Sequence, residues 1–255
     1  MFDCHFDLLM YILMYNYQNN LKKVKDYCGK IFRKDNITGG IFNLFYSEFD
    51  KMKRDYGFAN AEDINPVNDL ELVNELIQKE KLIPSDVQYI VGIEGLDYLK
   101  NIDDIDKLHR LGLRSTNIVW NNQNKFGGGA KAPEDVGLTE LGGKLIRKLV
   151  QTKIAVDLSH ANDNTFYGII DECRKLKTEG YNPIIHASHS NARTAYDIPR
   201  NLTDEQIEII IKEFDGTVGV VEYSGFVHVA AAWYAARVAC HATPTTILFE
   251  TYKSY

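Results

Sequence analysis

The sequence predicts an α/β fold in which parallel strands, each followed by a helical segment, close into a barrel. Three observations carry that expectation. The chain has 255 residues, 45% of them hydrophobic, enough to bury one full core in the size range of a single α/β barrel. Short β-rich runs alternate with segments of helical spacing, the pattern of parallel βαβ units. Seven such runs in one chain favour closure over an open sheet, with a doubly wound sheet as the alternative.

The β-rich runs are Phe2–Leu9, Ile37–Tyr46, Val87–Glu94, Ser115–Asn121, Ile154–His160, Pro183–His189 and Thr217–Tyr223. Between the second and third, Asp69–Lys81 places Leu70, Val73, Leu76 and Ile77 at helical spacing. Ile105–Leu111 is a further helical segment, with His109 on a surface or packing face. Thr139 is the expected N-cap of a helix whose apolar face is Leu141, Leu145, Ile146 and Leu149. Thr203 followed by Gln206 reads as a capping box for a helix through Ile207, Ile210 and Ile211.

A net charge of -6 and a pI near 5.7 argue against a nucleic-acid partner, which calls for a basic face. Cys4, Cys28, Cys173 and Cys240 lie far apart with no CxxC pair, so they read as reduced thiols of a cytoplasmic protein. The apolar start, MFDCHFDLLMYILMY, lacks a basic leading segment and carries Asp3, His5 and Asp7, which argues against a signal peptide. No run of 18 or more apolar residues follows, so no membrane partner is expected.

The informative feature is what stands at the ends of the runs. The first ends near His5-Phe6-Asp7, the third at Glu94, the fifth at His160 and the sixth at His189. In a parallel barrel the C-terminal strand ends converge on the face where active sites are built. Residues i and i+2 of a strand point to one side, so His5 and Asp7 can bind one ion together. Imidazole nitrogen and carboxylate oxygen are ordinary zinc ligands, and a carboxylate can bridge two ions roughly 3.5–4 Å apart. Each residue alone has a plainer reading. A single histidine is more often a core or surface residue, and Asp7 or Glu94 could be a solvated carboxylate or a helix cap. His186, three residues before His189, falls in the opposite strand phase and reads as facing away.

These residues sit in motifs that resemble the membrane dipeptidase (renal dipeptidase) family of metallopeptidases, in its small bacterial, soluble form. The motifs are FDCHFDLL, VGIEG, AVDLSHAN, IIHASHSNAR and PRNLTDEQ, in the family's order and with family-like spacing as far as Gly225. The resemblance implies a zinc dipeptidase with two Zn2+ per chain. By that resemblance His5 and Asp7 hold one zinc, His160 and His189 hold the other, and Glu94 bridges them. It also implies that Arg200 receives the substrate's carboxylate, a role suited to a guanidinium fork; the plainer alternative is a surface arginine beside a helix start. Dipeptides are the implied substrates, and a homodimer is left open.

Two departures from the family pattern stand out. Where better-known members end strand four with a histidine that holds substrate, this chain has Trp120 followed by Asn121. Asn121 is then the expected hydrogen-bond donor, with loop packing as the alternative for Trp120. After Phe226 the composition also changes, with alanine at 230, 231, 232, 235, 236, 239 and 242. The family would continue to an eighth strand with a GxDxxG-like segment, whose aspartate contacts the metal-bound water, and no such segment is present. The expectation is therefore a barrel domain over residues 1–226 without its native eighth strand, and an atypical tail over 227–255. Unpaired edges on the first and seventh strands would then favour aggregation. Thr245–Tyr252 is β-prone enough to stand in for the missing strand, or the tail is a natural helix with a short strand; His228 and His241 match nothing in the family. Two readings compete with the active enzyme: a metal-binding but inactive relative, and a non-enzymatic binding protein on the same barrel.

Overall fold

The computed structural model describes residues 2–34, 37–46, 52–53, 60–221, 223, 225–227 and 249–250. They group into two compact units, Met1–Ile118 and Val119–Tyr255. The strands within each unit are parallel and follow sequence order.

The first unit contains β1 (Phe2–Phe6), β2 (Gly39–Phe45), β3 (Gln88–Glu94) and β4 (Leu113–Asn117), adjacent in that order. Its helices are α1 (Leu8–Tyr17), α2 (Leu21–Lys34), α3 (Pro66–Glu80) and α4 (Asp104–Arg110). β2 is buried along its whole length, and Phe42, Leu44 and Ile93 of the sheet are buried, as are Leu8, Leu9, Ile12 and Leu13 of α1 and Leu70 and Val73 of α3. α3 begins where Asn65 accepts hydrogen bonds from the amides of Val67 and Asn68, with Pro66 in the first turn. It ends at Lys81 in the left-handed conformation. The first β-run is shorter than expected: β1 stops at Phe6 and Leu8 already opens a helix. Leucine and methionine are strong helix formers, and LLMYILMY lacks the β-branched alternation a longer strand would need.

The second unit contains β5 (Ala155–Asp157), β6 (Ile185–Ala187) and β7 (Thr217–Val218), again adjacent in order. α5 (Glu140–Gln151) and α6 (Asp163–Thr178) pack together, and Leu145, Ile146, Phe166, Ile169 and Ile170 are buried. Both caps expected here are present. Thr139 Oγ1 accepts from the Gly142 amide at 3.0 Å, and Thr203 and Gln206 form a reciprocal capping box at the start of α7 (Asp204–Glu208). From Ile209 to Glu213 that helix widens into a π-turn.

The last run is interrupted at Gly219, whose amide donates to Ala187 O and whose carbonyl accepts from the Ser190 amide. Beyond it β8 (Val220–Val221) pairs in parallel with β9 (Phe249–Glu250), the described part of the Thr245–Tyr252 segment. His228, His241 and the rest of the tail lie outside the described residues. Sequential neighbours within each unit follow barrel winding; a doubly wound sheet would reverse its order at a switch point. Among the described residues, no helix is long and apolar enough to cross a membrane.

Candidate metal centre

In the first unit, β1 and β3 each deliver ligand-type side chains at their C-terminal ends. His5 Nε2 lies 3.1 Å from Glu94 Oε2 and 3.4 Å from Asp7 Oδ1. One donor atom from each of His5, Asp7 and Glu94 falls within 4.8 Å of the others. Asp7 occupies the N-cap position of α1, yet its side chain makes no capping hydrogen bond, so its carboxylate is not consumed by the helix. Glu94 is held through its backbone. Thr116 Oγ1 donates to Ile93 O at 2.7 Å, and Asn117 Oδ1 accepts from the amide of Gly95 at 2.7 Å. Gly95 turns the chain away from β3 with φ 79, a conformation that favours glycine.

Burial opposes a charge on His5, but Glu94 and Asp7 outweigh it and raise its pKa well above the ordinary value. The two carboxylates thus create a buried place for positive charge. That place, with one imidazole and two carboxylates converging, fits a divalent ion.

In the second unit the histidines stand beyond the strands rather than on them, because β5 and β6 are only three residues long. His160 sits in a turn with φ 73, a strained backbone for a residue with a side chain. Its Nδ1 lies 3.0 Å from Asn121 Oδ1, and its Nε2 lies 2.9 Å from His189 Nε2. On the far side of the pair, His189 Nδ1 lies 2.7 Å from Ser188 Oγ, which also lies 2.5 Å from Asp157 Oδ2. An amide oxygen can only accept, so the His160 proton belongs on Nδ1 and its Nε2 presents a lone pair. Two nitrogens bound at roughly 2.0–2.1 Å to one tetrahedral ion stand about 3.3 Å apart, close to the separation here. The second group therefore also fits a cation.

Around these rings the loop after β6 is tightly held. The His189 amide donates to Ser159 Oγ at 3.1 Å. Arg200 is buried, with Nη1 donating to Ser190 Oγ and Nη2 to His189 O, both at 2.9 Å, and its guanidinium stands 5.2 Å from the Phe226 ring centre. Trp120 is half-buried with its ring 5.9 Å from that of His160. Asn121, expected as a donor, turns its oxygen to His160 Nδ1. His186 is buried near Asp157. Burial pushes the Asp157 carboxyl up, but the imidazoles of His186 and His189 and the Ser188 hydrogen bonds hold it well below the usual carboxylate range. Asp157, Ser159, Ser188 and Ser190 escaped the sequence reading, although all lie inside the motifs around His160 and His189.

Parallel strands with imidazole and carboxylate donors gathered at their C-terminal ends define a metallohydrolase-type α/β scaffold. The chain belongs to the membrane dipeptidase family (peptidase family M19), whose model matches residues 2–247. It is 32% identical over 217 residues to an uncharacterised protein of Acinetobacter calcoaceticus, covering 72% of this chain and 66% of that one. It is 31% identical over 144 residues to an uncharacterised dipeptidase of Schizosaccharomyces pombe, covering 55% of this chain and 33% of that one. The matches thus span between a third and two thirds of these relatives' lengths. A metallopeptidase from Rhodobacter sphaeroides, crystallised with a phosphinate mimic of the dipeptide L-Ala-D-Ala, has a similar fold: TM-score 0.65, 22% identity, 88% of this chain and 74% of that one. The fold is the α/β, TIM-barrel-like one expected from the sequence.

Proposed function

We propose that this chain is a metal-dependent dipeptidase with a binuclear zinc centre. The observation that carries the reading is the convergence of ligand-type side chains within each unit: His5, Asp7 and Glu94 in one, His160 and His189 in the other. Each group would hold one ion, with Glu94 the shared ligand that the family resemblance implies. A bound divalent ion supplies Lewis acidity, which activates water at neutral pH and polarises a carbonyl. Glu94, engaged as a ligand, acts by fixing the charge of the centre rather than as a free base. Asn121 keeps the His160 ring in the form whose Nε2 is available.

Arg200 would take the terminal carboxylate of the substrate. Its guanidinium is pre-oriented by its bonds to Ser190 and His189, which lowers the entropic cost of a two-pronged contact. A fixed carboxylate receptor close to the metal ligands restricts the substrate to very short peptides. Trp120, whose ring is tilted against that of His160, would line the space for a substrate side chain. The phosphinate dipeptide mimic held by the Rhodobacter sphaeroides enzyme supports a dipeptide as the substrate class.

The test is hydrolysis of L,L and L,D dipeptides beside tripeptides and N-acyl amino acids, with zinc added. Turnover of dipeptides that chelation abolishes is the expected result. A zinc-loaded chain that cleaves none of them would refute the reading.

A further inference from the structure

We propose that Asp157 and Ser188 are positioning residues that fix the tautomer and orientation of His189, an inference that rests on the metal-dependent reading above. Ser188 Oγ carries one proton and stands between two groups, Asp157 Oδ2 at 2.5 Å and His189 Nδ1 at 2.7 Å. Asp157 Oδ1 already accepts two backbone N–H groups, from Ser159 and from Ser188, both at 2.9 Å. The Ser188 hydroxyl donates its one proton to Asp157 Oδ2. The serine oxygen must then accept from His189 Nδ1–H, and the His189 lone pair falls on Nε2, toward His160 Nε2.

The same carboxylate also braces the backbone. Ser159 precedes His160 and Ser188 precedes His189, so one carboxylate oxygen ties together the two short loops that carry the histidines. All three relay residues are buried, which keeps water from supplying an alternative proton donor. A ligating histidine commonly donates its second ring N–H to a carboxylate or carbonyl, and loss of such a partner costs about 10–100-fold in metal affinity. Here a serine hydroxyl is interposed, so the carboxylate acts one bond further out.

Two measurements on the full chain test this. Long-range 1H–15N spectra of the metal-free wild type report which His189 nitrogen is protonated. A proton on Nδ1 is expected, and a proton on Nε2 overturns the proposal. Cobalt(II) titration, followed by the ion's visible absorption, then compares Ser188→Ala and Ser188→Thr with wild type. Ser188→Ala should weaken binding at one site by about 10–100-fold, and Ser188→Thr, which keeps the hydroxyl, should restore most of it. Wild-type cobalt affinity in Ser188→Ala overturns the positioning role. A wild type that shows Nδ1–H on His189 yet takes up no metal would sink the dipeptidase reading while upholding the tautomer assignment.

Discussion

His5 Nε2 reaches Glu94 Oε2 at 3.1 Å although their strands are not neighbours: β2 lies between β1 and β3. The contact therefore depends on the register of the central strand. β2 and β3 run in step from Gly39↔Gln88 to Phe45↔Glu94, with Asn43 opposite Gly92. A Cβ built on Gly92 would stand 1.8 Å from Asn43 Oδ1, so the asparagine carboxamide fills the room a side chain would need.

Gly92→Ala should accordingly destabilise the chain by about 1–3 kcal/mol, the usual cost of overpacking. Thermal unfolding reads this as a drop of roughly 2–4 °C per kcal/mol for a chain of this size. Metal affinity should fall as well, because Glu94 is two residues away on the displaced strand. Adding Asn43→Gly, which removes the nearest clash and leaves that with Ile41 Cγ2 at 2.8 Å, should recover part of the loss. An unchanged midpoint in Gly92→Ala would show that the strand spacing is not set by this pair.

Asp69 on α3 gives a pH prediction. Its carboxylate accepts from Tyr46 Oη at 2.9 Å and Tyr17 Oη at 3.1 Å, and burial raises its pKa from 3.8 to about 6 despite those bonds. A carboxyl with a raised folded pKa holds its proton more tightly when folded. Its contribution to stability is fully present below pH 3.8 and is lost as pH rises through about 6. At about 1.36 kcal/mol per pKa unit the loss approaches about 3 kcal/mol. Denaturant unfolding of wild type against Asp69→Asn should show a stability difference that changes across that window. A difference constant with pH would contradict the assignment.

For Arg200, the proposed role separates binding from metal ligation. Arg200→Lys keeps the charge but loses the planar fork. Losing one charge-assisted hydrogen bond costs about 1.5–3 kcal/mol, which corresponds to a rise in KM of roughly 10–100-fold. Zinc content should stay at the wild-type level. Loss of zinc with KM unchanged would instead mean that the bonds from Arg200 to Ser190 and His189 O serve only to hold the ligand loop.

Much of this was legible in the sequence because it rests on local chemistry. Helix caps at Thr139 and Thr203 need only residues a few positions apart, and both formed as read. The alternation of strands and helices gave the barrel-like fold. The boundaries were less legible. LLMYILMY is apolar on every side, so neither period marks it, and it folds as α1 rather than as the end of β1. β5 stops three residues before His160, and β6 stops two residues before His189. Strand phase therefore says nothing about the relation between His186 and His189. The Asp157–Ser188 relay was hidden for a different reason: one aspartate and one serine near strand ends look like any turn residues until the fold sets them side by side.

Whether the chain binds metal through these two groups is read by a zinc count on the purified full chain and on His160→Ala. About two ions per chain in the wild type and about one in the variant is the predicted result. The same content in both proteins, or none in the wild type, would rule out these ligand assignments.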